Sequence, residues 1–175
     1  MVTSLSDFFR TTLSKGHDYI TVKEERTHIE SYLEIQQFRY QDILDYEIQM
    51  DEEIYGYIIP KLTLQPLVEN ALYHGIKNKR GKGKILITGK KQGDKIIFQV
   101  IDNGKGMTEE ELNSLRKKMA GTDTGDEGKG FGVSNVNQRI KYYYGEEYGV
   151  FFESKENEGT NATIIIAAKN IQLPS

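Results

Sequence analysis

The sequence predicts an α/β two-layer sandwich, in which helices pack on a single sheet, preceded by a helical extension. Short segments with strand character follow residue 45, helix-type apolar patterns lie between them, and most of the first 45 residues have a helical pattern. The 175 residues fit one domain of ordinary size with such an extension. We therefore predict a helical region at 1–45 and a mixed domain at 46–175.

The composition excludes several classes of protein. The net charge of −3 provides no field that would attract nucleic acid or anionic lipid. The absence of cysteine excludes disulfides and thiolate metal sites, and it fits a reducing compartment. No stretch approaches the roughly 20 apolar residues of a membrane span. These features indicate a domain of cytoplasmic character that does not bind nucleic acid.

The N-terminal region is predicted to be helical from Ser4 to about Asp45. Thr21 and Glu24 have the spacing of a capping box, which predicts that a long helix begins there. Residues in alternating four- and three-residue steps follow: Ile29, Leu33, Gln36, Tyr40 and Ile43. This spacing is typical of a seam between helices, either within the domain or across a dimer.

From Tyr46 onward the pattern changes to strands and helices that alternate. Strands are predicted at 47–50, 84–91, 95–102, 149–154 and 161–168. Helices are predicted at 60–76 and 132–144, and 92–94 is predicted to be a hairpin turn.

The helix predicted at 60–76 has two faces when it is drawn at about 100° per residue. The apolar face carries Leu64, Leu67, Val68, Ala71 and Leu72. The opposite face carries Pro66, Asn70, Tyr73, His74 and Lys77. An amide, an imidazole and an amine on one face can bind a polar, anionic ligand, although a solvated surface is the alternative.

The strand predicted at 95–102 ends on Asp102, on a face that is otherwise apolar. A buried carboxylate needs a partner, and an exocyclic amine such as that of adenine can provide one. Gly104 and Gly106 allow the chain to turn sharply past a ligand. The alternative is a hairpin turn, but a capped helix predicted from Thr108 argues against it because no return strand follows.

A second glycine cluster, Gly128, Gly130 and Gly132, precedes the helix at 132–144. Glycines before a helix can hold phosphate through free backbone N–H groups and the helix dipole. The spacing and the late position do not match the dinucleotide-binding G-x-G-x-x-G, and no Walker motif is present. The long polar tract at 105–127 is typical of a lid that orders on ligand binding.

The order of these motifs resembles the GHKL superfamily, which includes gyrase, the ninety-kilodalton heat-shock chaperones, histidine kinases and MutL. The resemblance covers residues 60–168 and ends with Gly159 and Thr160 entering the last strand. It implies the Bergerat fold, a mixed and mostly antiparallel sheet with helices on one face and ATP held between sheet and lid.

The resemblance also implies roles for individual residues. Asn70 would coordinate the Mg²⁺ that bridges the ATP phosphates, and Asp102 would accept from the adenine amino group. Thr160 would form a water-mediated hydrogen bond with adenine. The other implied ATP-binding positions are His74, Lys77, Gly104, Gly106, Met107, Gly128, Lys129, Gly130, Phe131, Gly132 and Val133.

Hydrolytic members of the superfamily carry a glutamate four residues before the metal-binding asparagine, where it activates water. This chain has Pro66 at that position. The substitution favours phosphoryl transfer to a protein acceptor over hydrolysis.

Segments 32–40, 59–75 and 132–145 resemble the LytS/YesM type of sensor histidine kinase. The resemblance implies that 1–45 is the C-terminal tail of a dimerisation and phosphoacceptor region. It also implies a homodimeric bacterial membrane protein that passes a phosphoryl group to a response regulator. The acceptor in that group lies in a Pro-His-Phe context, which His17, His28 and His74 lack. We therefore expect the acceptor outside this chain. A GHKL serine kinase of the anti-sigma type and a non-catalytic nucleotide-binding module remain the alternatives.

Overall fold

The computed structural model describes residues 18–41, 43–77, 79, 81–122 and 131–171, with only the backbone of Phe131. The strands are β1 Tyr19–Thr21, β2 Leu44–Met50, β3 Ile58–Pro60, β4 Gly83–Gln92, β5 Lys95–Asp102, β6 Gly149–Lys155 and β7 Gly159–Ala167. The helices are α1 Val22–Arg39, α2 Gln65–Asn70, α3 Glu109–Met119 and α4 Phe131–Tyr144. A 3₁₀ turn spans Glu52–Ile54, and α2 continues directly into a π-helical segment, Ala71–Ile76.

The main sheet has five strands in the order β2-β4-β5-β7-β6. β2 pairs with β4 in parallel, and the other three pairings are antiparallel. In the β5–β7 pairing Asp102 lies opposite Thr160. The predicted α/β class with a mostly antiparallel sheet is confirmed.

One face of this sheet forms the core, because alternate residues along each strand point towards the helices. Ile87 of β4, Phe98 of β5 and Ile164 of β7 are fully buried. Ile29 of α1 and Leu67 of α2 belong to the same cluster. Each such side chain contributes about 1.5–3 kcal/mol of burial free energy. The helices therefore lie on the buried face of the sheet.

Helix α1 begins at the predicted capping box. The Thr21 side chain accepts a hydrogen bond from the Glu24 amide (3.1 Å), and the Glu24 carboxylate accepts from the Thr21 amide (2.7 Å). Ile29, Leu33 and Gln36 of the predicted seam are buried within the chain. Of the two alternatives for the seam, packing within the domain is therefore the one observed at these positions. The boundary near residue 45 stays a prediction.

Two predictions for this part of the chain are wrong. Residues 19–21 form a strand that pairs with β3, whereas helices and no strand were predicted between Ser4 and about Asp45. The helix predicted at 60–76 begins only at Gln65, because Pro60 ends β3 and Leu62 has a left-handed backbone with φ of 58°. The two paired strands lie about 40 residues apart in the sequence, and the backbone angle of Leu62 is unusual for a leucine. Neither feature produces a local pattern from which it could be predicted.

The remaining elements lie close to their predicted bounds. β5 has the predicted limits, and β2 and β7 each begin earlier than predicted. The predicted lid tract contains α3, which begins at a capping box between Thr108 and Glu111. Residues 123–130 of that tract lie outside the described residues. None of the helices in the described ranges combines the length and the apolarity that a membrane span needs.

Candidate functional site

A cavity of about 430 Å³ opens between the α2 end, the C-terminal end of β5 and one face of α3. This volume lies within the range of small-molecule sites in proteins. Six of the implied ATP-binding residues line it: Asn70, His74, Asp102, Gly106, Met107 and Thr160. The structure therefore brings together residues that lie 90 positions apart in the sequence.

Asp102 lies at the base of this cavity and is only 5% exposed. Its Oδ1 accepts a hydrogen bond from the Gly104 amide at 2.9 Å. Burial raises the pKa of the carboxyl group to about 6, while the Gly104 and Thr160 amides and the Lys79 charge oppose that rise. The group is therefore an ionised acceptor at neutral pH, and it can bind an amino group that enters the cavity.

Glycine backbones surround Asp102 closely. A Cβ at Gly75 would lie 2.6 Å from Asp102 Oδ1, and a Cβ at Gly104 would lie 2.3 Å from the backbone of Gly75. Gly106 has φ of 65°, and a Cβ there would lie 2.0 Å from the Lys155 carbonyl oxygen. Contacts with the protein's own backbone therefore require glycine at 104 and 106, whatever the ligand does. Sequence reasoning missed Gly75, although a glycine inside a helical pattern was a signal.

The helix that carries Asn70 changes to π-helical geometry directly after it. The Lys77 amide donates to the Leu72 carbonyl at 2.9 Å, which is an i to i+5 bond. Such segments occur often at functional sites. Lys77 directly follows this segment, and its Nζ lies over the rings of Tyr40 and Tyr73, at 5.5 and 5.1 Å from their centroids. The described lining of the cavity includes Asn70 and His74 but not Lys77.

Ser154 connects the glycine segment to the last strand and was also missed. Its Oγ accepts from the Met107 amide (2.9 Å), donates to the Gly159 carbonyl (3.0 Å), and lies 2.8 Å from Thr160 Oγ1. All three contacts are satisfied when Thr160 donates to Ser154. The Thr160 oxygen then keeps lone pairs that can accept from a water or a ligand in the cavity.

One wall of the cavity comes from α3, within the tract predicted to be a lid. The residues on this wall have helical spacing: Glu110, Glu111, Ser114, Leu115 and Lys118. Sequence reasoning placed ATP between the sheet and this lid, but it did not identify which residues of the lid face the ligand. Lys105, next to Gly106, also lines the cavity.

Of the second glycine cluster, Gly132 lies within the described residues. Gly128, Lys129 and Gly130 lie outside the described residues, as does the Phe131 side chain. Val133 is buried, and a Cβ at Gly132 would lie 3.2 Å from the Pro66 side chain. The start of α4 therefore lies against the start of α2, at Pro66.

No group of three or more potential metal ligands occurs among the residues that the structure describes. Mg²⁺ is usually held by substrate phosphates and only one or two protein groups. The Asn70 amide at the cavity fits such a site.

Comparison with protein families gives two matches. The model described as histidine kinase-, DNA gyrase B-, and HSP90-like ATPase matches residues 60–170. A second model, described as histidine kinase, matches residues 1–44. The first match contains every described residue that lines the cavity.

The chain is similar to sensor kinases. It is 35% identical over 170 residues to sensor histidine kinase YesM of Bacillus subtilis, which is 97% of this chain and 28% of YesM. It is 30% identical over 173 residues to sensor protein LytS of Staphylococcus saprophyticus, which is 98% of this chain and 29% of LytS. The chain thus spans less than a third of these relatives.

The fold is similar to that of a solved structure, the catalytic domain of histidine kinase ThkA. The TM-score is 0.63 at 19% identity, covering 87% of this chain and 97% of the ThkA domain.

Proposed function

The chain belongs to the histidine kinase-, DNA gyrase B-, and HSP90-like ATPase family, and from this membership we propose that it is the ATP-binding catalytic domain of a two-component sensor histidine kinase. The domain would transfer the γ-phosphoryl group of Mg²⁺–ATP to a histidine elsewhere in a longer protein. The observation that carries this proposal is the buried, ionised Asp102 at the base of a cavity whose wall presents Asn70.

Each residue around the cavity has a chemical role in this proposal. Asp102 accepts a hydrogen bond from the adenine amino group, and Thr160 accepts a hydrogen bond from a water molecule that bridges to the base. Asn70 holds the metal at the phosphates, and His74 on the same wall contacts phosphate or ribose. Bound Mg²⁺ would neutralise phosphate charge, as phosphoryl transfer generally requires. Gly128, Gly130 and Gly132 would hold the phosphates at the start of α4.

The absence of a carboxylate at position 66 supports transfer rather than hydrolysis. Pro66 contacts the start of α4 through Gly132, and it can neither accept a proton nor orient a water. The base for the reaction would come from the acceptor region.

The partners and the location of the longer protein belong to the same proposal. The family match at residues 1–44 and the similarity to YesM and LytS support a dimerisation and phosphoacceptor region upstream. We infer a homodimeric protein of the bacterial membrane that passes its phosphoryl group to a response regulator.

The metal role predicts a specific defect in Asn70→Ala. We define the Mg²⁺-dependent gain as the ratio of ATP affinity with Mg²⁺ to that with EDTA, measured by calorimetry. Loss of the amide ligand should reduce this ratio to near one, while adenosine still binds through Asp102. Asn113→Ala, on the exposed surface of α3, is the matched control. An undiminished ratio in Asn70→Ala would overturn the metal assignment.

The transfer role predicts that this chain alone forms almost no phosphohistidine. His28 is 1% exposed, so a partner site cannot reach it without unfolding. With a longer protein that contains the upstream region and carries Asn70→Ala, this chain should generate acid-labile phosphate on that protein. Acid-stable phosphate would favour the serine-kinase alternative, and no transfer would favour the non-catalytic module.

A further inference from the structure

Glu25 of α1 is fully buried, and its carboxylate reaches across to the start of α2. Oε1 accepts from the Leu64 amide at 2.8 Å, and Oε2 accepts from the Leu62 amide at 3.3 Å. The Gln65 amide also bonds to this group. Amides at the start of a helix have no partner within the helix. A side chain 40 residues upstream therefore caps the helix that carries Asn70.

The capped segment is held from the other side by α4. Arg139 Nη1 donates to the Lys61 carbonyl at 2.8 Å, and Nη2 donates to the Leu62 carbonyl at 2.9 Å. Leu62 is one of two residues other than glycine with positive φ in the described ranges. This conformation costs a leucine about 1–2 kcal/mol, so surrounding contacts must maintain it. Glu25 and Arg139 supply such contacts on both of its peptide groups.

Further polar contacts connect α1 with the same helix. The His28 side chain bonds to Gln65, whose Nε2 also donates to Glu69 at 3.0 Å. The Tyr32 side chain bonds to Tyr73, in the π-helical segment. Positions 25, 28 and 32 lie on one face of α1. Asn70 lies between the contact at Gln65, in α2, and the contact at Tyr73, in the π-helical segment.

Burying Glu25 is costly, and burial raises its pKa to about 7. A buried glutamate at this position is explained if its hydrogen bonds with the backbone amides at 62–65 matter for the nucleotide site as well as for the stability of the fold. α1 lies entirely within residues 1–44, which match the histidine kinase family model. α4 begins within the glycine cluster, and Gly132 is its second residue.

We propose that Glu25 is a positioning residue for the nucleotide site: by holding the amides at 62–65 against α1, it fixes where α2 presents Asn70 to the metal. The proposal rests on the proposed function, because Asn70 is a metal ligand only there. If Glu25 has this role, the geometry of the nucleotide site depends on the position of α1. A displacement of α1 that releases these amides would release Asn70 while Asp102, on β5, keeps its place.

The test is the Mg²⁺-dependent gain in ATP affinity of the 175-residue chain carrying Glu25→Gln. The glutamine oxygen can accept from one amide, but its NH₂ group opposes the other. We expect the gain to fall by about 5-fold, with adenosine affinity unchanged. Glu34→Gln, the same substitution at an exposed position of α1, should behave like the wild type.

A structural role alone would lower the unfolding midpoint and leave the gain intact, so an unchanged gain in folded Glu25→Gln overturns the proposal. If Glu25→Gln does not fold, the same two outcomes decide on Glu25→Asp, which keeps the carboxylate but shortens its reach to the amides at 62–65 by one methylene group. Asn70→Ala separates this proposal from the one on which it rests. If Asn70→Ala keeps the gain, the metal assignment fails; if only Glu25→Gln keeps it, the positioning role fails.

Discussion

Asp102→Asn is expected to reduce ATP and ADP affinity by about 100-fold, because the asparagine cannot accept from both the Gly104 amide and the adenine amino group. The Asp102 carboxylate already accepts from the Gly104 amide at 2.9 Å. In either orientation of the asparagine side chain, its NH₂ group faces another donor. Calorimetry at pH 7.5 measures the loss. Asp94→Asn, in the exposed turn between β4 and β5, is the control and should bind like the wild type.

The same substitution should change how stability depends on pH. The pKa of Asp102 is about 6 in the folded chain, against 3.8 for an unperturbed aspartate. Between these values Asp102 binds more protons in the folded state than in the unfolded state, so the contribution of Asp102 to wild-type stability falls as the pH rises from about 4 to above 6. The fall amounts to about 3 kcal/mol.

The substituted asparagine does not titrate, so the Asp102→Asn variant should gain stability relative to the wild type across this pH interval. Urea unfolding of both proteins at pH 4.5 and pH 7.5 measures this difference, and other titrating groups such as Glu25 cancel because both proteins contain them. A difference that stays constant with pH would show that Asp102 is not the buried acceptor described above. Lower affinity together with relative stabilisation would mean that the carboxylate is kept for binding, at a cost to the fold.

The elements that the sequence predicted well are those with local signals. Alternation placed β5 at its observed limits, and the capping boxes at Thr21 and Thr108 mark the observed starts of α1 and α3. The misplaced elements depend on distant residues. β1 exists because it pairs with β3, and α2 begins late because Leu62 is held in a left-handed conformation by Glu25 and Arg139.

The same distinction applies to the candidate site. Asn70 and Asp102 stand out in the sequence because each is a polar residue at a marked place in a regular pattern, and the resemblance to the GHKL superfamily implied their roles. Gly75 and Ser154 were missed because their contacts cross between elements, to Asp102 in one case and to Met107 and Thr160 in the other. The π-helical geometry after Asn70 was missed because its i to i+5 bonds have no counterpart in the amino-acid pattern.

Gly106→Ala is expected to destabilise the domain far more than Gly93→Ala, although the two glycines have nearly the same backbone conformation. Their φ angles are 65° and 63°. A Cβ at Gly93 would meet nothing within 4 Å, whereas a Cβ at Gly106 would lie 2.0 Å from the Lys155 carbonyl oxygen. Gly93→Ala should therefore cost only the left-handed conformation, about 1 kcal/mol. Gly106→Ala must also displace the end of β6, which should add about 3 kcal/mol.

The comparison decides why glycine is required at position 106. If close approach of a ligand requires it, Gly106→Ala should lose nucleotide affinity while its urea midpoint falls no further than that of Gly93→Ala. If packing against Lys155 requires it, stability should fall in the absence of nucleotide. A displaced Lys155 also moves Ser154, which bonds to Met107 and Thr160 at the cavity. We expect the second result, with affinity lowered as a consequence of the displaced strand. Equal unfolding free energies for the two variants would contradict the contact with Lys155.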